Sequence, residues 1–284
     1  MSRILVTGSS GLLGRHVASS LVDAGHAVLG LDVVAPPEGA SWSHVTGEAG
    51  DLAVMAELAK DMDALVHIAA IPRPTGRAAV DVFRINMAAM YAAVEAARLC
   101  GVRRFVYASS FSVLGFPFFE TPITPAYLPI DEAHPIGAQD VYATTKWLGE
   151  ELIETMVRRG TFAAVSLRMP WIQTPQTFHT TIGQRRLHAD AARDLWAYLD
   201  ARDAAAAFVA AVERPLAGHA RLFISAADSY MDCASADLIR AAYPDTPIRK
   251  PIDSYAALID TSAAERQLGF VPRYSWRDYP EYET

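Results

Sequence analysis

Close to the start of the chain an apolar run, Arg3-Ile4-Leu5-Val6-Thr7, breaks into Gly8-Ser9-Ser10-Gly11-Leu12-Leu13-Gly14, and this break limits the possible folds more than any other feature. The run reads as a strand. Leu12 to Ala24 reads as a helix closed by Gly25, and Ala27 to Leu31 as a second strand ended by Asp32. Glycines between a strand and a helix allow a tight turn. They also let an anion reach the helix N-terminus, where free N–H groups and the helix dipole favour negative charge. A glycine trio alone says little, but in the order strand, turn, helix, strand it predicts a cradle for a dinucleotide pyrophosphate at Gly8, Ser10, Gly11, Leu12 and Leu13. Asp32 lies 18 residues after Gly14 (32 − 14), close to the spacing expected of a carboxylate that bonds the adenosine ribose hydroxyls. A carboxylate there repels a 2′-phosphate, so NAD is expected over NADP.

The alternation continues and predicts an α/β fold with a doubly wound parallel sheet. A helix is expected over Leu52 to Lys60, a strand over Ala64 to Ile68, an alanine-rich helix over Val80 to Cys100 and a strand over Arg104 to Ala108. Residues 115–137 carry Pro117, Pro122, Pro125, Pro129 and Pro135, which predicts an ordered loop. A helix over Val141 to Arg158 and a strand over Phe162 to Leu167 follow, and then an irregular stretch, Pro170 to His188, expected to cover a substrate. Helix Ala201 to Glu213, strand Arg221 to Ser225 and helix Ala234 to Tyr243 end the pattern. The expected division is a nucleotide domain over 1–168 and a small C-terminal substrate lobe over 169–284, interleaved with the last strands.

With 51% hydrophobic residues and 20% charged, 284 residues suit such a domain plus lobe. The net charge of −7 argues against nucleic acid as a partner, because such binders show a basic excess. Cys100 and Cys233 fall in no metal-like spacing, so neither a disulfide framework nor a metal site is expected, and a reducing cytoplasm fits. No apolar stretch reaches the roughly 18 residues of a membrane helix.

Tyr142 and Lys146, four residues apart, share one face of their predicted helix. A free phenol, with a pKa of about 10, is a poor base near neutrality. A neighbouring ammonium and a positive nicotinamide both favour the phenolate, so a depressed phenol pKa is expected, as a general base requires. Ser110 ends the strand before the proline-rich loop.

An ordered set of residues now stands out: Gly8, Gly11 and Gly14; His67-Ile68-Ala69-Ala70; Asn86; Val106-Tyr107-Ala108-Ser109-Ser110; Tyr142-Ala143-Thr144-Thr145-Lys146; and Arg168. Over residues 2–210 it resembles the extended short-chain dehydrogenase/reductases, a family of sugar epimerases, dehydratases and dehydrogenases. The resemblance implies a Rossmann fold with NAD as cofactor. Asp51 and Leu52 would lie by the adenine, Ala69 and Ala70 by the ribose and phosphates, and Asn86, Ala108, Tyr142 and Pro170 would complete the cofactor side. It further implies Tyr142 as proton carrier, Lys146 on the nicotinamide ribose, and Ser110 on the reacting oxygen. Ser110 is preferred to Ser109 because the family places this hydroxyl five residues before the glycine that is here Gly115. His67 reads as a core histidine.

The family's dehydratases carry an Asp-Glu pair after this serine; here Phe111-Ser112 follows, so oxidation, reduction or epimerisation is expected. Asp131-Glu132 reads as a solvated loop turn. Met169-Pro170-Trp171 replaces a Tyr-Phe-Asn-like stretch of nucleotide-sugar members, which points to a smaller sugar-like substrate such as a free sugar or uronate. Candidate substrate contacts are Arg73, Ser110, Phe111, Ser112, Gln173 and Arg185. The alternatives are a nucleotide-sugar epimerase and, from another class, a non-catalytic dinucleotide sensor. A homodimer is expected through the two long helices.

Overall fold

The computed structural model describes residues 1–186, 188 and 190–279. Leu187, within the predicted covering stretch, and residues 189 and 280–284 of the predicted lobe lie outside the described residues. The strands are β1 (Arg3–Thr7), β2 (Ala27–Asp32), β3 (Ser43–Thr46), β4 (Ala64–His67), β5 (Arg104–Ser110), β6 (Ala163–Met169), β7 (Trp171–Gln173), β8 (Tyr198–Asp200) and β9 (His219–Phe223). Seven of them form one sheet in the order β3-β2-β1-β4-β5-β6-β9, parallel throughout, while β7 pairs with β8.

Side chains alternate across a strand, and β1 shows how this sheet is buried on both faces. Ile4 and Val6 pack with Val17, Ala18 and Leu21 of α1 (Leu12–Asp23). Leu5 packs on the other face, in the cluster that holds Met55 of α2 (Leu52–Leu58), Met90 of α3 (Ala79–Leu99) and Ile153 of α4 (Val141–Arg158). Chain direction from β1 goes outward to β2 and β3, then returns to β4, so the carboxyl ends of β1 and β4 flank the switch point where such sheets bind ligands.

The lobe draws on residues from both sides of position 169. Phe111, Phe116, Leu128 and Ile130 pack with Phe178, Trp196, Tyr198 and Tyr230. The later helices are α5 (Pro175–Thr180), α6 (Ile182–Arg185), α7 (Ala201–Glu213), α8 (Ser235–Ala242) and α9 (Ser262–Leu268). The stretch expected to be irregular therefore holds β7, α5 and α6. Thr174 and Thr177 form a reciprocal capping box and Pro175 opens α5, which satisfies the free N–H groups of even so short a helix. Both β3 and α9 were absent from the expected pattern, and β9 begins two residues before the predicted strand.

The loop carboxylates do more than make a solvated turn. Glu132 Oε1 accepts the Phe223 N–H at 2.9 Å and ties the proline-rich loop to the end of β9. Asp131 accepts the Tyr127 hydroxyl at 2.5 Å and the Ala133 N–H at 3.1 Å. His67 is a satisfied core histidine: Nδ1 lies 2.8 Å from Thr7 Oγ1, and burial, with Lys146 nearby, pushes it down to about 3, so it is neutral.

Candidate active site

At the switch point the first turn is built to steric tolerance. Gly8 has φ +74°, and a Cβ there would sit 2.7 Å from Ala69 N; a Cβ on Gly14 would sit 1.8 Å from Gly8 O. Gly11 differs, because a Cβ there would meet nothing nearer than Gly8 O at 3.5 Å. Packing alone does not demand its bare backbone. What it leaves open is the N-terminus of α1, which has no side-chain cap and no acid in its first turn. Asp32 stands at the rim with Oδ2 accepting the Ser10 N–H at 2.9 Å and Oδ1 the Val34 N–H at 3.2 Å. An uncapped helix N-terminus beside a fixed carboxylate suits a pyrophosphate joined to a ribose.

From this turn a crevice of about 1560 Å³ runs past Ala69 and Ala70 to Ser110, Tyr142 and Lys146, then on to Pro170, Trp171 and Arg185. Sites for one drug-sized molecule measure about 300–1,000 Å³, so this crevice has room for a dinucleotide and a second molecule. Ser110 Oγ accepts from Ser112 N at 3.1 Å and Ser112 Oγ at 2.9 Å. Lys146 Nζ donates to Ala108 O at 2.6 Å and lies 5.7 Å from the centre of the Tyr142 ring.

The charge of Lys146 alone does not make the phenol acidic. Burial pushes Tyr142 up to about 12, with the Ser110 hydroxyl drawing it down and Asp140 adding to the rise. Lys146 is turned toward the β5 backbone, and burial pushes it down to about 7 against the pull of Glu150. Helical spacing brings the amine close, yet burial is the largest influence on the phenol.

This amine has a consequence for stability. Its folded value lies below its ordinary 10.5, so below about pH 7 it is charged in both states and its burial weakens the fold. Between about 7 and 10.5 only the unfolded chain holds the proton, and stability rises with pH. In urea unfolding, the deficit of the parent relative to Lys146→Met is expected to shrink as pH rises through that window. A deficit constant with pH would contradict the buried, depressed amine.

The other candidates are placed unequally. Gly8, Ser10, Gly11, Leu12, Leu13, Asp32, Ala69, Ala70, Ala108 and Pro170 line the crevice, as do Arg73, Phe111, Ser112 and Arg185. Asp51, Leu52, Asn86 and Gln173 do not. Asp51 caps α2 by accepting from Ala53 and Val54 N–H, and Leu52 packs in the core. The wall expected of this pair is made by residues 47–50, which leave β3. Asn86 is buried and bonds both backbone groups of Ile71 and, through Nδ2, Thr145 Oγ1 at 3.1 Å; it holds the β4–α3 loop against α4 from behind the wall. Gln173 Oε1 accepts from Thr177 and Thr181 and faces α5. Arg185 lines the crevice with its charge already met by Asp190 and Asp194. Asp194, unforeseen, is itself pushed up to about 6 by burial, against the Tyr230 hydroxyl and Arg185.

The sheet order, glycine turn and helix-borne Tyr-Lys pair define a dinucleotide-type α/β protein of the doubly wound class. The chain belongs to the NAD dependent epimerase/dehydratase family, whose profile matches residues 4–224. It is 30% identical to mouse (Mus musculus) UDP-glucose 4-epimerase over 193 residues, 59% of this chain and 53% of that protein. It is 31% identical to D-erythronate dehydrogenase of Cupriavidus necator over 185 residues, 60% of this chain and 55% of that protein. These matches span about half the length of each relative. Among solved structures, a short-chain dehydrogenase/reductase superfamily protein of Agrobacterium tumefaciens with bound NAD superposes with a TM-score of 0.72 at 26% identity, covering 97% of this chain and 94% of that one.

Proposed function

We propose that this chain is an NAD-linked oxidoreductase acting on a secondary hydroxyl, or the matching carbonyl, of a small sugar-like substrate. The observation that carries the reading is the meeting of Ser110, Tyr142 and Lys146 in the crevice that opens at the uncapped N-terminus of α1. Gly8, Gly11, Leu12 and Leu13 would hold the pyrophosphate and Asp32 the adenosine ribose. Bound there, NAD supplies a hydride acceptor and a positive ring. Ser110 would bond the reacting oxygen, and Tyr142 would take its proton as the adjacent C–H bond breaks. Lys146 would grip the nicotinamide ribose and stabilise the phenolate. A phenol that burial pushes up to about 12 needs the positive nicotinamide as well as the amine before it can accept that proton near neutrality.

The similarity to D-erythronate dehydrogenase supports a sugar acid as substrate. The crevice adds the exposed Arg73 and Arg77 in its lining, in a chain of net charge −7, and cations in a cleft concentrate anionic substrates. A second reading, a redox epimerase of a nucleotide sugar, is favoured by the similarity to UDP-glucose 4-epimerase. The test is to supply NAD with a panel of aldonates, uronates, free sugars and UDP-sugars. Accumulating reduced nicotinamide supports a dehydrogenase, and isomer exchange without accumulation an epimerase. Cofactor binding with no turnover on any of them would leave a sensor and end the enzymatic reading.

Asp32→Ala is expected to erode the preference for NAD over NADP by about tenfold or more, since hydrogen bonds to a charged group contribute about 1.5–3 kcal/mol. Paired titrations with the two cofactors measure this, and an unchanged ratio would move the ribose elsewhere. A cytoplasmic homodimer is part of the proposal. Exposed Phe83, Tyr91 and Leu99 of α3 and Trp147 of α4 support pairing, and Cys100 and Cys233 as free thiols suit a reducing compartment. Among the described residues no helix is long and apolar enough to cross a membrane.

A further inference from the structure

One turn beyond Lys146 on the same face of α4, Glu150 is wholly buried. Its Oε1 accepts from Ser109 Oγ at 2.6 Å and Arg168 Nε at 3.0 Å; its Oε2 accepts from Arg168 Nη2 at 2.7 Å and lies 3.3 Å from Arg221 Nε. A buried ion pair is a poor device for stability, because apolar residues of like volume often serve as well or better. This pair is tied through Ser109 to the end of β5 that carries Ser110. We infer that Glu150 is a positioning residue for the reaction: its buried carboxylate sets a negative charge one helical turn from the Lys146 amine on α4 and fixes Ser109 beside Ser110.

The surroundings of the amine leave that task to Glu150. Its own helix offers Tyr142 and Glu150; β5 offers the Tyr107 ring, 4.8 Å from Nζ, and the Ala108 carbonyl; β4 offers His67, which is neutral. Glu150 is the charge that opposes the effect of burial on Lys146. Farther out lie the cations Arg168 of β6 and Arg221 of β9. Glu151 and Glu154 meet Arg221 at 3.1 and 3.5 Å, and His219 of β9 lies 3.1 Å from Glu154. Removing Glu150 alone would leave Arg168 as an unpaired buried cation on the same side of the amine.

The inference rests on the proposed roles of Tyr142 and Lys146, yet its first readout needs no turnover. The chain has three lysines, Lys60, Lys146 and Lys250, and the other two are exposed in ion pairs with Glu57 and Asp260. Labelling lysine with carbon-13 at Cε therefore gives a spectrum in which Lys146 can be assigned by Lys146→Arg and titrated with NAD present. Glu150→Gln is expected to lower the Lys146 titration by about one pH unit or more, and to move the alkaline limb of kcat down with it. Glu150→Asp, which keeps the charge, should stay near the parent. If Glu150→Gln fails to fold, the double variant Glu150→Gln/Arg168→Gln, which leaves no unpaired charge, should fold and show a smaller shift in the same direction, because a cation leaves with the anion. A folded variant lacking Glu150 whose Lys146 titrates as in the parent would overturn the inference, as would a shifted titration with an unmoved kcat limb. Absence of turnover in the parent itself would instead count against the proposed function.

Discussion

Tyr142→Phe is expected to lower kcat by about 10²–10⁴-fold, the range of a positioned general acid–base group, while cofactor affinity stays at the parent value. The ring would keep its place on the crevice wall and only the hydroxyl would go. Ser110 would keep its bonds from Ser112, and Lys146 its bond to Ala108 O. Nothing in the glycine turn touches the missing atom. Steady-state kinetics on the best substrate of the panel, paired with an NAD titration, separate the two effects. A variant that turned over like the parent would remove the phenol from the chemistry.

The second large effect is expected at Gly14. A helical Gly→Ala change ordinarily gains up to about 1 kcal/mol from the lost flexibility of the unfolded chain. Here the new Cβ would sit 1.8 Å from Gly8 O, and Gly8 cannot retreat, because its own space ends at the Ala69 backbone. Overpacking against a fixed neighbour costs about 1–3 kcal/mol and here falls at the upper end, so the clash wins. Gly14→Ala should lower Tm and NAD affinity together. Gly11→Ala is the informative partner: its Cβ finds an ordinary 3.5 Å contact, so Tm should hold while NAD binding weakens, since the methyl fills the approach to the helix N-terminus. Calorimetry and cofactor titration on both variants test this. Gly14→Ala matching the parent in both measures would contradict the packing account.

What could be read before the structure was what local chemistry controls. The glycine turn announces itself because Gly14 is demanded by the Gly8 carbonyl six residues before it and Gly8 by its own positive φ. Helix α4 was placed at its observed bounds, which its amphipathic spacing between a prolyl loop and Gly160 marks. β3 escaped because Ser43-His44-Val45-Thr46 is a short edge strand with no buried residue, so it carries no apolar run. Asp51 was assigned to adenine through family position, although an aspartate directly before a helix is better read as its N-cap, which is how it is used. The acids facing Arg185 lie five and nine residues away in sequence, a spacing that by itself carries no direction. The depth of burial at the phenol was not legible: i,i+4 spacing sets how near Lys146 lies, whereas desolvation is set by loops and strands far off in sequence.

Transfer of substrate deuterium addresses the central claim most directly. With the substrate labelled at the carbinol carbon and NAD bound to the parent chain, the label should appear on the reduced nicotinamide, and Tyr142→Phe should suppress that transfer without displacing NAD. Oxidised product formed while the label goes to water, or a Tyr142→Phe chain that transfers it at the parent's rate, would contradict hydride loss coupled to proton uptake by this phenol.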